Sequence, residues 1–290
     1  TNSYATGSVT GTSSTGGLAG SANGAITNSY ATGNVTGKDN TGGLAGYTYS
    51  ATEKVSNCYA LGDVIATDER AGGLVGWAKG EIENSYAKGR VSSEKNYSGG
   101  LVGYAEKAIS NSYATGGVTG TGAYTGGLAG YASSTITNSY ATGNVTGKDN
   151  TGGLAGYTYS ATEKVSNCYA LGDVIATDER AGGLVGWAKG EIENSYAKGR
   201  VSSEKNYSGG LVGFAVKAIS NSYATGDVTG TDQTGGLAGS AVQRITNSYA
   251  TGSVTGTSST GGLAGSANGA ITNSYATGNV TGKDNTGGLA

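Results

Sequence analysis

The sequence predicts an all-β fold, a right-handed parallel β-helix of about eleven coils, and three observations carry that prediction. First, an Asn-(Ser/Cys)-Tyr-Ala core begins at Asn2, Asn28, Asn57, Asn84, Asn111, Asn138, Asn167, Asn194, Asn221, Asn247 and Asn273, at steps of 26, 29, 27, 27, 27, 29, 27, 27, 26 and 26 residues. A period in this range means a stacked array in which each repeat packs only on its neighbours. Second, each repeat holds only short apolar pieces punctuated by Gly, with no helical periodicity. Third, no Asn-Gly or Asp-Gly turn recurs where a hairpin would need it, so like pieces pair between coils rather than within one.

Within residues 42–67 three extended pieces follow one another. They are Gly43-Leu44-Ala45-Gly46-Tyr47-Thr48, a piece around Lys54-Val55-Ser56-Asn57-Cys58-Tyr59-Ala60, and Gly62-Asp63-Val64-Ile65. Paired in register from coil to coil, they predict three short parallel sheets along one axis, wound with the right-handed sense of parallel connections. At about 4.8 Å per coil the rod is on the order of 50 Å long. The whole of 1–290 reads as one array. It has no Met and no charged-then-apolar leader, and it opens and stops inside a repeat, so the expectation is a piece of a longer repeat protein.

Variation between coils separates outside from inside. The position after the Ile or Val is Thr27, Ser56, Glu83, Ser110 or Glu193, and the position two after Tyr is Thr32, Leu61 or Lys88, so both face water. These sites are an odd number of residues apart, so strict strand alternation must break once between them. A break at Asn28 points Ser29, Ala31, Gly33 and Val35 inward and leaves the Tyr column outward as a stacked ladder. A break at Ala31 puts Tyr inside. The Asn column (Asn28, Asn57, Asn84, Asn111, Asn138, Asn167, Asn194, Asn221 and Asn247) reads as a structural ladder, its amides bonding from coil to coil and satisfying a buried bend. Asn also tolerates the left-handed geometry a bend needs.

In the Gly-Gly-Leu piece, Leu18, Leu44, Leu74, Leu101 and Leu128 fill the core. With Leu inward, a second column has outward parity: Tyr47, Trp77, Tyr104, Tyr131, Tyr157, Trp187 and Phe214, replaced in the end coils by Ser21, Ser240 and Ser266. This is the candidate aromatic contact stripe. The loops absorb variety, and the longer Tyr49-Ser50-Ala51-Thr52-Glu53-Lys54 explains both 29-residue steps. Residues 26–103 recur unchanged as 136–213, and 1–45 as 246–290. Blocks this alike look like copies within a recombining array.

The totals exclude several functions. A net charge of −2 with 13% charged residues gives no basic footprint for nucleic acid. No run of 18 apolar residues exists to span a membrane. With no His, neither a Ser-His-Asp triad nor a His-based metal site can form. The carboxylate pairs Glu81/Glu83 and Asp68-Glu69 return as Glu191/Glu193 and Asp178-Glu179, which marks them as repeated surface charges rather than a unique active site. The calcium nonapeptide Gly-Gly-x-Gly-x-Asp is missing. Asn-x-Thr sequons at Asn34, Asn144 and Asn279, and Asn-x-Ser at Asn96 and Asn206, matter only in a glycosylating host. Cys58 and Cys168 share one repeat position four coils apart, roughly 19 Å, too far for a disulfide. They read as small buried thiols. No catalytic residue, metal or cofactor is expected.

Gly73-Leu74-Val75-Gly76 followed by Ile82 to Val91 resembles the GLUG-motif repeats of large bacterial surface proteins, and the pattern returns in every full coil. The resemblance implies a β-solenoid stalk of a secreted adhesin similar to filamentous haemagglutinin. It implies an extracellular, cell-surface location and no catalytic residues. Three functions follow: a non-catalytic stalk or filament segment; a surface whose outward Tyr and Trp columns bind host glycans, proteins or neighbouring copies; or ice binding through Thr rows such as Thr32/Thr36 and Thr142/Thr146, which Leu61, Ile65 and Lys88 interrupt.

Overall fold

The computed structural model describes all 290 residues. It is a parallel β-solenoid of about eleven turns without helix, and a right-handed β-helix fits it. One coil is five short strands: Ile26–Thr27, Tyr30–Ala31, Val35–Gly37, Thr41–Gly42 and Ala45–Thr48. Each pairs in parallel with its counterpart one coil away, Ile26 on Val55, Tyr30 on Tyr59, Val35 on Val64, Thr41 on Ala71 and Ala45 on Val75. The columns make five sheets, three of eleven strands and two of ten.

Five sheets instead of three is a correction, and left-handed residues are its cause. All eleven core Asn residues have φ between 48° and 55°. The bend at Asn28 splits what reads as one extended piece into an Ile strand and a Tyr strand. A second left-handed column, Asn40 (45°), Arg70 (62°), Tyr97 (67°), Tyr124 (64°) and their successors, turns the chain again before each Thr-Gly strand. The Gly43-Leu44 corner then divides Thr41–Gly42 from Ala45–Thr48.

Glycine does a different job here from the usual one. None of the glycines has positive φ. They are present because successive coils leave no room for a Cβ: one on Gly33 would run into the Gly7 carbonyl, and one on Gly62 into that of Gly33. The columns of Gly let backbones stack directly.

The interior has two cores. A cluster of 44 buried residues holds the Leu, Ile and Ala columns, with Leu74, Leu101, Ile109 and Leu128 all at 0% exposure. Each such side chain contributes roughly 1.5–3 kcal/mol by burial. A smaller cluster of 11 residues runs beside it, built on Val64, Val91, Val118 and Val145. Ser29, Ala31 and Val35 are buried and Tyr30 is half-buried, so the alternation breaks at Asn28 and the Tyr column stands outward. Its eleven rings stack without a gap from Tyr4 to Tyr275, at 4.7–5.3 Å between centroids.

The polar ladder belongs to Ser rather than to Asn, with two Cys interrupting it. The Asn side chains are exposed, and amide-to-amide bonds join only Asn138 to Asn111, Asn247 to Asn221 and Asn273 to Asn247, at 3.2–3.3 Å. What Asn supplies is the bend. Beside it, the buried Ser112 hydroxyl accepts the Ser85 amide at 3.1 Å and donates to the Ser110 carbonyl at 2.7 Å. The same pair of bonds recurs at Ser85, Ser139, Ser195, Ser222 and Ser248. Cys58 and Cys168, both free and buried, take the place of Ser in this column. They donate to the carbonyls of Ser56 and Ser166 but offer only sulfur, a weak acceptor, to the coil before.

Candidate functional site

The aromatic stripe is built on the strands Ala45–Thr48, Val75–Ala78, Val102–Ala105, Ala129–Ala132, Ala155–Thr158, Val185–Ala188 and Val212–Ala215. In each, the residues before and after the aromatic are Gly and a buried Ala or Thr, so the ring projects from the outer face. Cross-strand register sets Tyr47 on Trp77, Trp77 on Tyr104, Tyr104 on Tyr131, Tyr131 on Tyr157, Tyr157 on Trp187 and Trp187 on Phe214. Ser21 and Ser240 close the row at its two ends.

These rings are not a free outward row. Tyr47 and Tyr157 are only 8% and 5% exposed, and the other five are half-buried. The cover comes from residues the sequence did not single out for this role. Tyr97, Tyr124 and Tyr207 occupy the left-handed bend before the Ser/Thr-Gly strand and lean their rings over the stripe. Tyr97 meets Tyr104 at 5.4 Å and Tyr131 at 5.8 Å, both edge to face, and Tyr207 meets Phe214 at 5.3 Å. At the same bend in other coils stand Arg70 and Arg180, whose guanidinium groups lie 4.7 and 4.8 Å from the Trp77 and Trp187 rings. Tyr49 and Tyr159, in the two long loops, close on Tyr47 and Tyr157 from the other side. The only trace in the sequence is a spread of size: the last loop residue before Ser/Thr/Ala-Gly is Ser, Asn, Arg, Tyr or Gln, which does not say where its side chain goes.

Both ring faces are largely occupied. Tyr104 stacks on Tyr131 at 4.5 Å and 7°, and Trp77 stacks on Tyr47 at 4.6 Å. A sugar that binds by stacking needs a bare ring face, and these rings present edges and hydroxyls instead. Burial raises the Tyr131 phenol well above its ordinary range, and also raises Tyr97 and Tyr124. They stay neutral hydrogen-bonding groups at physiological pH. The Lys79 and Lys189 ammonium groups lie 5.6 Å from the Tyr47 and Tyr157 rings, and those phenols raise both above their ordinary value. The surface as a whole offers aromatic edges, phenols and cations.

Elsewhere the outer faces are plainer. The Thr row at Thr36 continues into Ile65, Ser92 and Thr119, and the exposed Leu61 and Ile65 break its regularity. A second side-chain ladder borders it, in which Asn34 accepts the Asp63 amide at 2.9 Å and Asp63 the Arg90 amide at 2.8 Å. The ladder ends at Arg90, whose side chain has no acceptor, and beside the side-chain-less Gly117 an open depression of about 470 Å³ lies between Arg90 and Asn144.

Comparison with known proteins places the repeat. The family model described as the GLUG motif matches residues 11–36, 67–92, 96–119, 121–146, 177–202, 206–229, 230–255 and 256–281. Each match runs once around the solenoid, from the loop before the Thr-Gly strand to the Val strand. The unmatched stretches 37–66 and 147–176 contain the two long loops, yet they fold into the same five strands. No curated protein and no solved structure matches the chain. The matched segments cover more than two thirds of the residues, and the chain belongs to the GLUG-motif family.

Proposed function

We propose that this chain is a non-catalytic spacer, a rigid stalk or filament segment of an extracellular adhesin that holds binding regions away from a bacterial surface. One observation carries the reading. Every coil pairs with the next in the same register in all five sheets, and the copied block 136–213 extends the stack without altering it. A part organised this way gains length by gaining coils, since each coil contacts only its neighbours. The placement at a bacterial surface rests on the resemblance of the repeat Gly73 to Val91 to those of bacterial surface proteins.

Excision of residues 26–135 tests the spacer role, because it joins Ala25 to Ile136 and so restores the native Ala25-Ile26-Thr27 sequence at the junction. In the full-length protein, displayed on cells and imaged by electron microscopy, this deletion shortens the projecting rod by about 19 Å, four coils of ~4.8 Å. Surface display and fold persist, and adhesion declines as the binding region withdraws. A protein found only inside the cell, or adhesion indifferent to coil number, overturns the reading.

A further inference from the structure

We propose that the depression beside Gly117 is a binding subsite for the carboxylate of an acidic sugar. The site goes beyond the spacer role and does not rest on it.

The ladder that starts at Asn34 defines what fits there. In this column the side chain of one coil accepts the backbone N–H of the next. Asn34 accepts from Asp63, Asp63 from Arg90, Asn144 from Asp173, Asp173 from Arg200 and Asp227 from Ser253, at 2.8–3.0 Å. Three of these five acceptors are carboxylates, so the fold already places that group in this column. Where the preceding residue is Ser, Arg or Gly, the N–H finds no such acceptor. After Ser8, Ser253 and Arg200 this opens a single N–H, on Asn34, Asn279 and Asp227, and Ser8 itself has no coil before it. Inside the stack only Arg90 and Gly117 fall in succession. The Gly117 and Asn144 amides are therefore both open, one coil or about 4.8 Å apart.

Other features converge on the same spot, the one marked concavity of the rod. Gly117 has room for a side chain: a Cβ there would meet only the Asn144 carbonyl oxygen, at 3.4 Å, whereas one on Gly116 would run into the Gly89 carbonyl. Arg90, exposed and in no ion pair, lines one side. Two N–H groups and a guanidinium are donors only, a set that calls for an anion and binds it through charge-assisted hydrogen bonds. The nearest carboxylates of the column, Asp63 and Asp173, stand two coils away on either side, roughly 10 Å, about one screening length at 0.1 M salt. Ser92, Thr119 and Thr146 line the rest of the depression with hydroxyls, which suit the hydroxyls of a sugar ring.

The copied block supplies a comparison inside the same chain. Arg200 and Ser202 repeat Arg90 and Ser92, but Asp227 stands in the place of Gly117, and its own carboxylate accepts the Ser253 amide. That coil carries built in what the Gly117 coil would take from outside.

Amide NMR on the isotope-labelled 290-residue chain, titrated with sodium glucuronate, tests this. The Gly117 and Asn144 amides are expected to shift together and saturably, with a Kd of ~1–10 mM. Glucose should leave them in place, and acetate should bind several-fold more weakly. G117D, which installs the residue this column already carries at Asp63, Asp173 and Asp227, should abolish binding with the circular dichroism unchanged. R90Q should weaken it roughly tenfold. D227G should create a second site beside Arg200, read as a new saturable shift at the Ser253 amide. Four results overturn the proposal: no saturable shift at Gly117 and Asn144 up to ~100 mM glucuronate, an equal response to glucose or acetate, binding that survives in G117D, or binding indifferent to both R90Q and D227G.

Discussion

Trp77 donates its indole N–H to Glu106 Oε1 at 3.0 Å, and four coils further on the equivalent bond does not exist. Trp187 sits in an identical block, but the residue in the place of Glu106 is Val216, and the Trp187 indole N–H is buried with no acceptor. The two coils are a natural comparison inside one chain. A buried donor without a partner costs about 1–3 kcal/mol. The substitution Val216→Glu should therefore stabilise the protein by about 1 kcal/mol, the low end, because glutamate at this half-exposed position keeps much of its hydration. Glu106→Val should lose a similar amount. Urea unfolding followed by Trp fluorescence reads both, and equal midpoints for all three proteins would show that the indole bond carries no net stability.

The Asn column makes a distinct prediction, because its role is in the backbone. Asn111 holds φ at 49° with its side chain in solvent. Left-handed geometry costs an ordinary L-residue roughly 1–2 kcal/mol, while Gly adopts it freely. Asn111→Ala should destabilise by about that amount and Asn111→Gly by much less, despite removing the same amide. Were the amide ladder the main contribution, both variants would fall together in thermal melts.

The buried hydroxyls of the Thr-Gly strands behave in the opposite sense. Thr41, Ser98, Thr125, Thr151, Ser208 and Thr234 have side-chain oxygens buried without a partner. The same column accepts Ala71 and Ala181, so nothing in the fold requires a hydroxyl there. Thr125→Val exchanges an unsatisfied hydroxyl for a methyl of nearly the same shape. It should stabilise by about 1 kcal/mol in the urea midpoint. A loss would mean that the methyl is too large against Gly120, whose Cβ position abuts the Thr125 hydroxyl.

These particulars show what was legible in the sequence. The stack was, because an eleven-fold recurrence leaves little alternative to coil-on-coil pairing. The bend at Asn28 and the outward Tyr ladder followed from parity, one of two readings the sequence left open. The number of sheets was not legible: the second bend is made by Asn40, Arg70, Tyr97 and Tyr124, and an Arg or Tyr gives no sign of a left-handed backbone. The Ser ladder was hidden too, since Ser29 and its counterparts read as small inward residues and not as the hydrogen-bonding ones. That the seven aromatics share one column was legible from the repeat, but their cover was not, because Tyr97 and Tyr124 reach them from across a corner that only three dimensions reveal.

The buried thiols link the interior to pH. Burial pushes the Cys168 thiol from near 9.0 up to about 12, and burial raises Cys58 as well. A thiol whose folded pKa lies above its unfolded value keeps its proton longer when folded. Its contribution to stability is fully present below about pH 9 and is lost as pH rises toward 12, because only the unfolded chain then gains by ionising. Over that window Cys168 alone imposes a slope approaching ~1.4 kcal/mol per pH unit. Cys168→Ser should flatten the alkaline limb of the stability profile while leaving stability at pH 7 equal or slightly higher, since Ser restores an oxygen acceptor to the ladder. The same burial should keep both thiols silent to an aromatic disulfide reagent at pH 8 until urea opens the coils. Rapid labelling of the folded protein would show that these coils open locally and often, and that the column around Cys58 and Cys168 is far less rigid than its unbroken register implies.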